Sequence, residues 1–133
     1  MVVLAGAHTV GRAHCSSFVP DRLAVPSDMD PSFAGMLRGQ CPACPSSSND
    51  PTVVQDVVTP NRWATRNVLA HRALFTSDAS LLTSPATAKM VVDNANIPGW
   101  WEDRFKEAMV KLAAVEVKTG GSGEVRRNCR AVN

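Results

Sequence analysis

The imidazole of His8 has the surroundings in this sequence that best suit close approach to a ligand. It lies in the segment 4–15, where Gly6 and Ala7 precede it and Gly11 follows it. Small neighbours leave the edge of an imidazole ring open, so a ring in this setting can reach a flat cofactor and offer it a nitrogen ligand. The same residues also suit a buried, hydrogen-bonded histidine at a capped helix end, which is a common structural use of histidine. Both interpretations remain open from this segment alone.

Four cysteines are the next residues with chemistry of their own, and they allow three complete pairings. Cys41 and Cys44 form a C-x-x-C motif, but a redox motif of this kind needs a strand before it and a helix at its first cysteine, which the surrounding prolines disfavour. A zinc site is the other possibility, with His14, Cys15, Cys41 and Cys44 as its ligands. Their atom types suit zinc, but adjacent helical residues such as His14 and Cys15 point about 100° apart and share one ion poorly.

Composition excludes several classes of protein. The 133 residues are 44% hydrophobic, enough for one domain with a core, and three Trp with no Tyr favour a helical core over a sandwich. A net charge of +2 gives no basic patch for nucleic acid, and no apolar run is long enough to span a membrane. The apolar residues 1–7 lack a basic segment and are too few for a signal peptide.

The elements that position these side chains are predicted to be helices. Residues 1–17 indicate the end of one helix running into the helix of His8. Six prolines between residues 18 and 59 exclude long elements, but one short helix fits, with Asp30 as its N-cap and Gly39 as its end. The residues of this helix expected to face inward are Phe33, Met36 and Leu37.

Three further helices are predicted in the second half of the chain. One follows Pro60 to about residue 70, one begins at Pro85 and ends near residues 94–96, and the longest spans residues 100–115. An apolar stripe on the longest is expected to face the core, and it consists of Trp101, Phe105, Ala108, Leu112 and Val115. Residues 117–127 suggest a small hairpin or an irregular tail. The fold class is therefore mostly α.

Five segments, in this order along the chain, resemble those of the plant secretory (class III) haem peroxidases. They are residues 4–15 (proximal haem segment), 56–62 (second calcium segment), 74–78 (turn with the proximal aspartate), 101–109 (last long helix) and 119–129 (terminal hairpin with the last cysteine). Nothing in the chain resembles the N-terminal half of that family. The resemblance implies that residues 1–133 are a partial domain, the proximal, C-terminal portion of the family's helical fold.

The resemblance also implies roles for individual residues. His8 would be the axial ligand of haem b, and Asp78 would accept a hydrogen bond from the other ring nitrogen, which makes the imidazole more electron-rich and lowers the iron potential. Taken alone, Asp78 also suits the N-cap of a helix. By the family pattern Cys15 pairs with Cys41, whereas Cys129 pairs with a cysteine of the half that is not represented.

A calcium site is the second cofactor site that the resemblance implies. Its ligands would be Thr9, Asp56, Thr59 and the carbonyl of Arg62. Where the family has a second carboxylate ligand, this sequence has Ala64. Because calcium affinity follows the number and charge of the oxygen ligands, this replacement predicts weakened binding.

The function implied is that of a secreted, monomeric haem peroxidase, an oxidoreductase that reduces hydrogen peroxide with small phenolic electron donors. No residue matches the family's distal His and Arg, and neither His14 nor His71 lies in that motif. The sequence therefore predicts little peroxidase activity for this chain alone. Two alternatives remain open: a truncated, non-catalytic haem-binding remnant, and a small disulfide-stabilised or zinc-binding module.

Overall fold

The computed structural model describes residues 1–9, 11–54 and 63–132, and it is mostly helical, as predicted. The α-helices are α1 (Val2–Ala5), α2 (Pro31–Gln40), α3 (Trp63–Leu69), α4 (Thr76–Ala79), α5 (Pro85–Asn96) and α6 (Trp100–Ala113). Short 3-10 turns cover Gly6–Thr9, Cys15–Ser17, Ser80–Leu82 and Gly120–Ser122, and a π turn covers Val19–Leu23. Strands β1 (Ala13–His14) and β2 (Thr52–Val53) form one antiparallel pair. Among the described residues, no helix has the length and apolarity needed to cross a bilayer.

Helix α2 shows how local signals fix an element in the proline-rich region. A side-chain oxygen of Asp30 accepts the backbone N–H of Phe33 at 2.9 Å, which confirms the predicted N-cap. Phe33 and Leu37 are buried, but Met36 is 45% exposed, so its predicted inward position is wrong. Phe33 and Leu37 define the middle of the buried face, and Met36 lies about 100° from it by helical geometry.

Among the described residues, two hydrophobic clusters make up the core. The first surrounds the Cys15–Cys41 disulfide, with Phe18, Val19, Phe33, Leu37, Val53 and Leu74 among its members. The second joins α1, α3 and α5 through Val2, Val68, Ala73 and Val91. Ala73 and Leu74 are adjacent in the sequence but belong to different clusters, so the loop that follows α3 connects the two.

Helix α6 differs from the prediction in both its packing and its end. None of its residues is buried, and it ends at Ala113 rather than Val115. Trp101 is held by a hydrogen bond from its Nε1 to the carbonyl oxygen of Val3 at 2.9 Å, and its ring stacks on Phe105 at 4.8 Å between centroids. Leu112 is 51% exposed, so its predicted inward position is wrong.

The end of the described chain is an irregular tail, the second of the two predicted forms. Residues 117–127 contain no strand, and the backbone turns where Ser122 N–H donates to the carbonyl of Thr119 at 3.2 Å. Gly120 has a φ of +56°, which a glycine adopts without strain. The tail residues are exposed up to position 132.

Candidate functional site

Gly6 and Trp101 determine how the turn that carries His8 is held. Helix α1 passes directly into the 3-10 turn Gly6–Thr9, so the short helix predicted at His8 is a 3-10 turn. A Cβ placed on Gly6 would lie 2.7 Å from Cε2 of Trp101, which is too close for an unstrained contact. The sequence predicts that Gly6 is small so that the edge of the His8 ring stays open. In the structure its small size instead allows the indole of Trp101 to pack against the backbone.

The structure brings His8 and Asp78 together across 70 residues of sequence. His8 Nδ1 lies 3.0 and 2.9 Å from the two carboxylate oxygens of Asp78. Because an ionised carboxylate only accepts hydrogen bonds, we assign the proton to Nδ1, which leaves Nε2 as the nitrogen with a free lone pair. The imidazole is 44% exposed whereas the Asp78 side chain is 4% exposed, so a buried acceptor orients a ring that opens to the surface.

Phe75 is a member of this site that the sequence did not single out. Its ring meets the imidazole of His8 edge-on, with 5.2 Å between centroids and 66° between planes. It is also the N-cap residue of α4, and Asp78 makes no capping hydrogen bond. The helix-cap interpretation of Asp78 is therefore wrong, because the side chain turns to His8 instead. The one signal in the sequence was the position of Phe75 within the same segment, 74–78.

Burial sets the electrostatics of Asp78. Loss of water around its carboxyl raises the pKa above the ordinary value of 3.8, and the hydrogen bond and charge of His8 oppose that rise only in part. The carboxylate form is thus held at neutral pH at some expense in stability. A buried carboxylate of this kind suits the hydrogen-bond partner of a metal-binding imidazole, because its charge is poorly solvated and acts mainly on the imidazole of His8.

We expect Asp78→Asn to become more stable relative to the native chain as the pH rises from 3 to 7. A raised folded-state pKa contributes stability below about pH 3.8, and this contribution is lost as the pH rises through the folded-state pKa. The amide keeps an acceptor for Nδ1 but does not ionise. The difference in free energy of unfolding between the variant and the native chain should therefore shift in favour of the variant as the pH rises from 3 to 7. Urea denaturation across this range measures the difference.

Asp50→Asn is the control of opposite sign. Hydrogen bonds from Ser16 lower the pKa of Asp50, so its contribution to stability is present above the ordinary value and is lost as the pH falls through the folded-state pKa. This variant should lose stability relative to the native sequence at neutral pH. The assignment for Asp78 would be contradicted if both variants moved in the same direction.

All three histidines of the chain bond to an aspartate through Nδ1. His14 Nδ1 is hydrogen-bonded to the backbone carbonyl of Asp50 at 3.2 Å and lies 3.3 Å from its carboxylate, whereas His71 Nδ1 lies 2.9 Å from the carboxylate of Asp28. What separates His8 from the others is its partner, because Asp50 is 21% exposed and Asp28 is 44% exposed, against 4% for Asp78. Only His8 pairs with a buried carboxylate.

The cysteines exclude the zinc alternative. Cys15 and Cys41 form a disulfide with a Cα–Cα distance of 5.7 Å, whereas Cys44 and Cys129 are free and exposed. The predicted pairing is confirmed. Two of the four proposed zinc ligands are thereby oxidised, and the described residues contain no group of three or more metal-ligating side chains. The C-x-x-C interpretation fails for the same reason, because Cys41 pairs with Cys15 instead of Cys44.

Most of the predicted calcium site lies outside the part of the chain that the structure describes. Asp56, Thr59 and Arg62 belong to the stretch 55–62, which falls in that gap. Thr9 ends the 3-10 turn that contains His8, and Ala64 lies in the first turn of α3. The calcium ligands thus remain predictions from the sequence.

Comparison with known proteins gives consistent matches along the whole chain. The family model described as Peroxidase matches residues 1–97. The chain is 65% identical over 136 residues to Peroxidase 2 of Zea mays, covering all of this chain and 41% of that protein. It is 40% identical to Peroxidase 5 of Vitis vinifera and 35% identical to Peroxidase 18 of Arabidopsis thaliana, of which it covers 43% and 44%. The chain thus spans about two fifths of the length of these relatives.

Proposed function

Because this chain belongs to the peroxidase family, the family that five sequence segments predicted, we propose that it is the haem-ligating part of an oxidoreductase that reduces hydrogen peroxide with phenolic electron donors. The observation that carries this proposal is the contact between His8 and the buried Asp78. Residues 1–133 would form the proximal portion of a single domain. Haem, when bound, supplies the iron at which peroxide is reduced.

The donor set at His8 fits haem iron. Imidazole is a usual axial ligand of haem, and a ligating imidazole typically donates its second N–H to a carboxylate. His8 meets both requirements, since Nδ1 faces Asp78 and the ring is about half exposed on its remaining sides. Phe75 adds an apolar wall against the same ring. His14 also lies beside an aspartate, but its hydrogen bond goes to the backbone carbonyl of Asp50, and the carboxylate of that residue is 21% exposed.

In this proposal the residues of the chain act by holding the imidazole. Asp78 keeps the proton on Nδ1, and thereby fixes both the tautomer and the orientation in which Nε2 is presented. Phe75 limits rotation of the ring. Gly6 and Trp101 anchor the start of the turn, since the indole of Trp101 packs against Gly6 and its nitrogen donates to the carbonyl of Val3.

His8→Ala should abolish the shift of the Soret band that follows addition of haemin to the chain. The reason is the loss of the one imidazole with a buried carboxylate partner. His14→Ala is the matched control, because it removes an imidazole that is 61% exposed and also bonded to an aspartate, and it should leave the shift in place. If His14→Ala or His71→Ala removes the shift and His8→Ala does not, the ligand assignment is wrong.

Calcium binding should be weak, with a dissociation constant in the millimolar range or no detectable binding. Ala64 stands where a carboxylate ligand is expected, and the loss of one anionic ligand lowers affinity severely. Isothermal titration of the native chain and of Asp56→Asn measures this, and the variant should remove whatever binding remains. Submicromolar binding would contradict the prediction and would point to another carboxylate as the missing ligand.

An extracellular location for the monomeric protein completes the proposal. The Cys15–Cys41 disulfide supports it, because stable disulfides belong mainly to oxidising compartments. Phenols are proposed as donors on the family pattern alone. Peptide mapping of the protein from its native tissue, without reduction, tests the location through the oxidation state of Cys15 and Cys41.

A further inference from the structure

A surface carboxylate, Asp28, joins two distant parts of the chain. One of its oxygens accepts a hydrogen bond from Nη1 of Arg22 at 2.6 Å, and the other accepts one from Nδ1 of His71 at 2.9 Å. We call Arg22, Asp28 and His71 the carboxylate bridge. It fastens the segment of the π turn to the loop after α3, which lie about 50 residues apart in the sequence.

Arg22 makes the bridge energetically significant because its side chain is only 5% exposed. Its Nη2 donates to the carbonyl of Ala73 at 3.4 Å, and its Nε has no hydrogen-bond partner among the described residues. A buried guanidinium needs an anionic partner, so removal of the Asp28 carboxylate would leave a charge in a poorly solvated place. The bridge therefore determines where Arg22 and the Ala73 carbonyl can lie.

His71 brings the loop to the bridge in an unusual backbone conformation. Its φ is +55°, a left-handed value that is uncommon for a residue with a side chain. The conformation is held from both sides, since the carbonyl of His71 accepts the N–H of Asp30 at 2.9 Å and its own N–H donates to Val68 at 3.0 Å. The hydrogen bond from His71 is also the main reason that the pKa of Asp28 lies below its ordinary value.

The loop that the bridge fastens leads directly into the site. After His71 the chain places Ala73 in the second core cluster and Leu74 in the first, and both are 1% exposed. Phe75 follows against the His8 ring, and Asp78 comes one helical turn later. A shift of the loop at residues 71–73 would therefore displace Phe75 and Asp78, the two residues that contact the imidazole of His8.

We propose that Arg22, Asp28 and His71 are positioning residues, which hold the loop at residues 71–75 so that Asp78 meets Nδ1 of His8. The functional meaning of this positioning rests on the proposed role of His8 as a haem ligand. The geometric statement can be tested without haem, and the two can therefore fail separately.

The test is the proton on Nδ1 of His8, observed by NMR in the full chain labelled with 15N-histidine. A bond to a buried carboxylate slows the exchange of this proton with water. Asp28→Ala should accelerate the exchange by about tenfold or more, which corresponds to about 1.4 kcal/mol in the closed population of the His8–Asp78 pair. Asp21→Ala is the matched control, since it removes an exposed carboxylate from the same π turn, and it should leave the exchange rate unchanged.

A merely structural bridge gives a different result. Asp28→Ala would then lower the free energy of unfolding while the Nδ1 proton of the folded molecules exchanged at the native rate, and this outcome would overturn the proposal. An equal effect of Asp21→Ala would overturn it as well. If Asp28→Ala does not fold, Asp28→Asn carries the same test, because its amide keeps the shape and one acceptor but loses the charge that Arg22 requires. Retention of the native exchange rate in Asp28→Asn, with the His71 signal altered, likewise contradicts the inference.

Discussion

Loaded with haem, this chain should oxidise guaiacol no more than about a hundredfold faster than free haemin at the same concentration. Cleavage of the peroxide O–O bond needs an acid–base catalyst, worth about 10² to 10⁴ in rate, and a group that stabilises developing charge, worth a comparable factor. The site contains neither on the evidence of its described residues. In the proposed function His8 and Asp78 would serve only to bind the iron, and the two other imidazoles of the chain lie against Asp50 and Asp28.

Initial rates for the native chain, for His8→Ala and for free haemin decide this prediction. The native chain should differ from haemin by less than the factor given, and His8→Ala should match haemin. A larger rate would show that another side chain supplies acid–base catalysis, and His71 with Arg72 would be the first residues to replace. The structure argues against them, because the guanidinium of Arg72 lies over the Phe33 ring at 5.0 Å from its centroid.

Removal of the disulfide should lower the free energy of unfolding by about 3 to 4 kcal/mol. The bond between Cys15 and Cys41 spans a sequence separation of 26 residues, and the loop entropy of the unfolded chain gives a contribution of this order. Both sulfur-bearing residues belong to the first core cluster and are buried, so Cys15→Ala with Cys41→Ala avoids placing hydroxyl groups there. Urea denaturation measures the loss.

Cys44→Ala is the control for the disulfide. Its side chain is exposed and unpaired, so the change should stay within about 0.5 kcal/mol. Reduction of the native chain with dithiothreitol should bring its stability to that of the double variant. A loss under 1 kcal/mol in the double variant would contradict the expected contribution. A bond between Cys41 and Cys44 in unreduced peptide maps would contradict the pairing itself.

The parts of the structure that the sequence predicted are those set by local rules or by the family pattern. Asp30 caps α2, and Pro85 opens α5, because the side chain or ring of one residue fixes the start of each helix. The juxtaposition of His8 and Asp78 across 70 residues cannot follow from spacing, and it was predicted through the resemblance. Their roles at haem remain predictions.

The errors concern residues whose surroundings are set by distant partners. The apolar stripe of α6 has helical period, but period does not reveal whether a partner element is long enough to cover it, and Leu112 stays half exposed. Asp78 is of a residue type that often caps helices, yet both of its carboxylate oxygens lie against Nδ1 of His8 and neither makes a capping hydrogen bond. The sequence predicts that Gly6 leaves the edge of the His8 ring open, whereas in the structure the absence of a side chain at Gly6 makes room for the indole of Trp101.

The contact between Gly6 and Trp101 has a consequence for the limits of the folding unit. The family model matches residues 1–97, whereas the relatives match the whole chain, and the partner of the third residue is the indole at position 101. A polypeptide shortened to residue 97 would keep every position that the family model matches and lose the side chain that closes the turn before His8. The order of folding during synthesis follows from this contact as well: the His8 turn is synthesised before α6, yet its packing is completed only after α6 has been added.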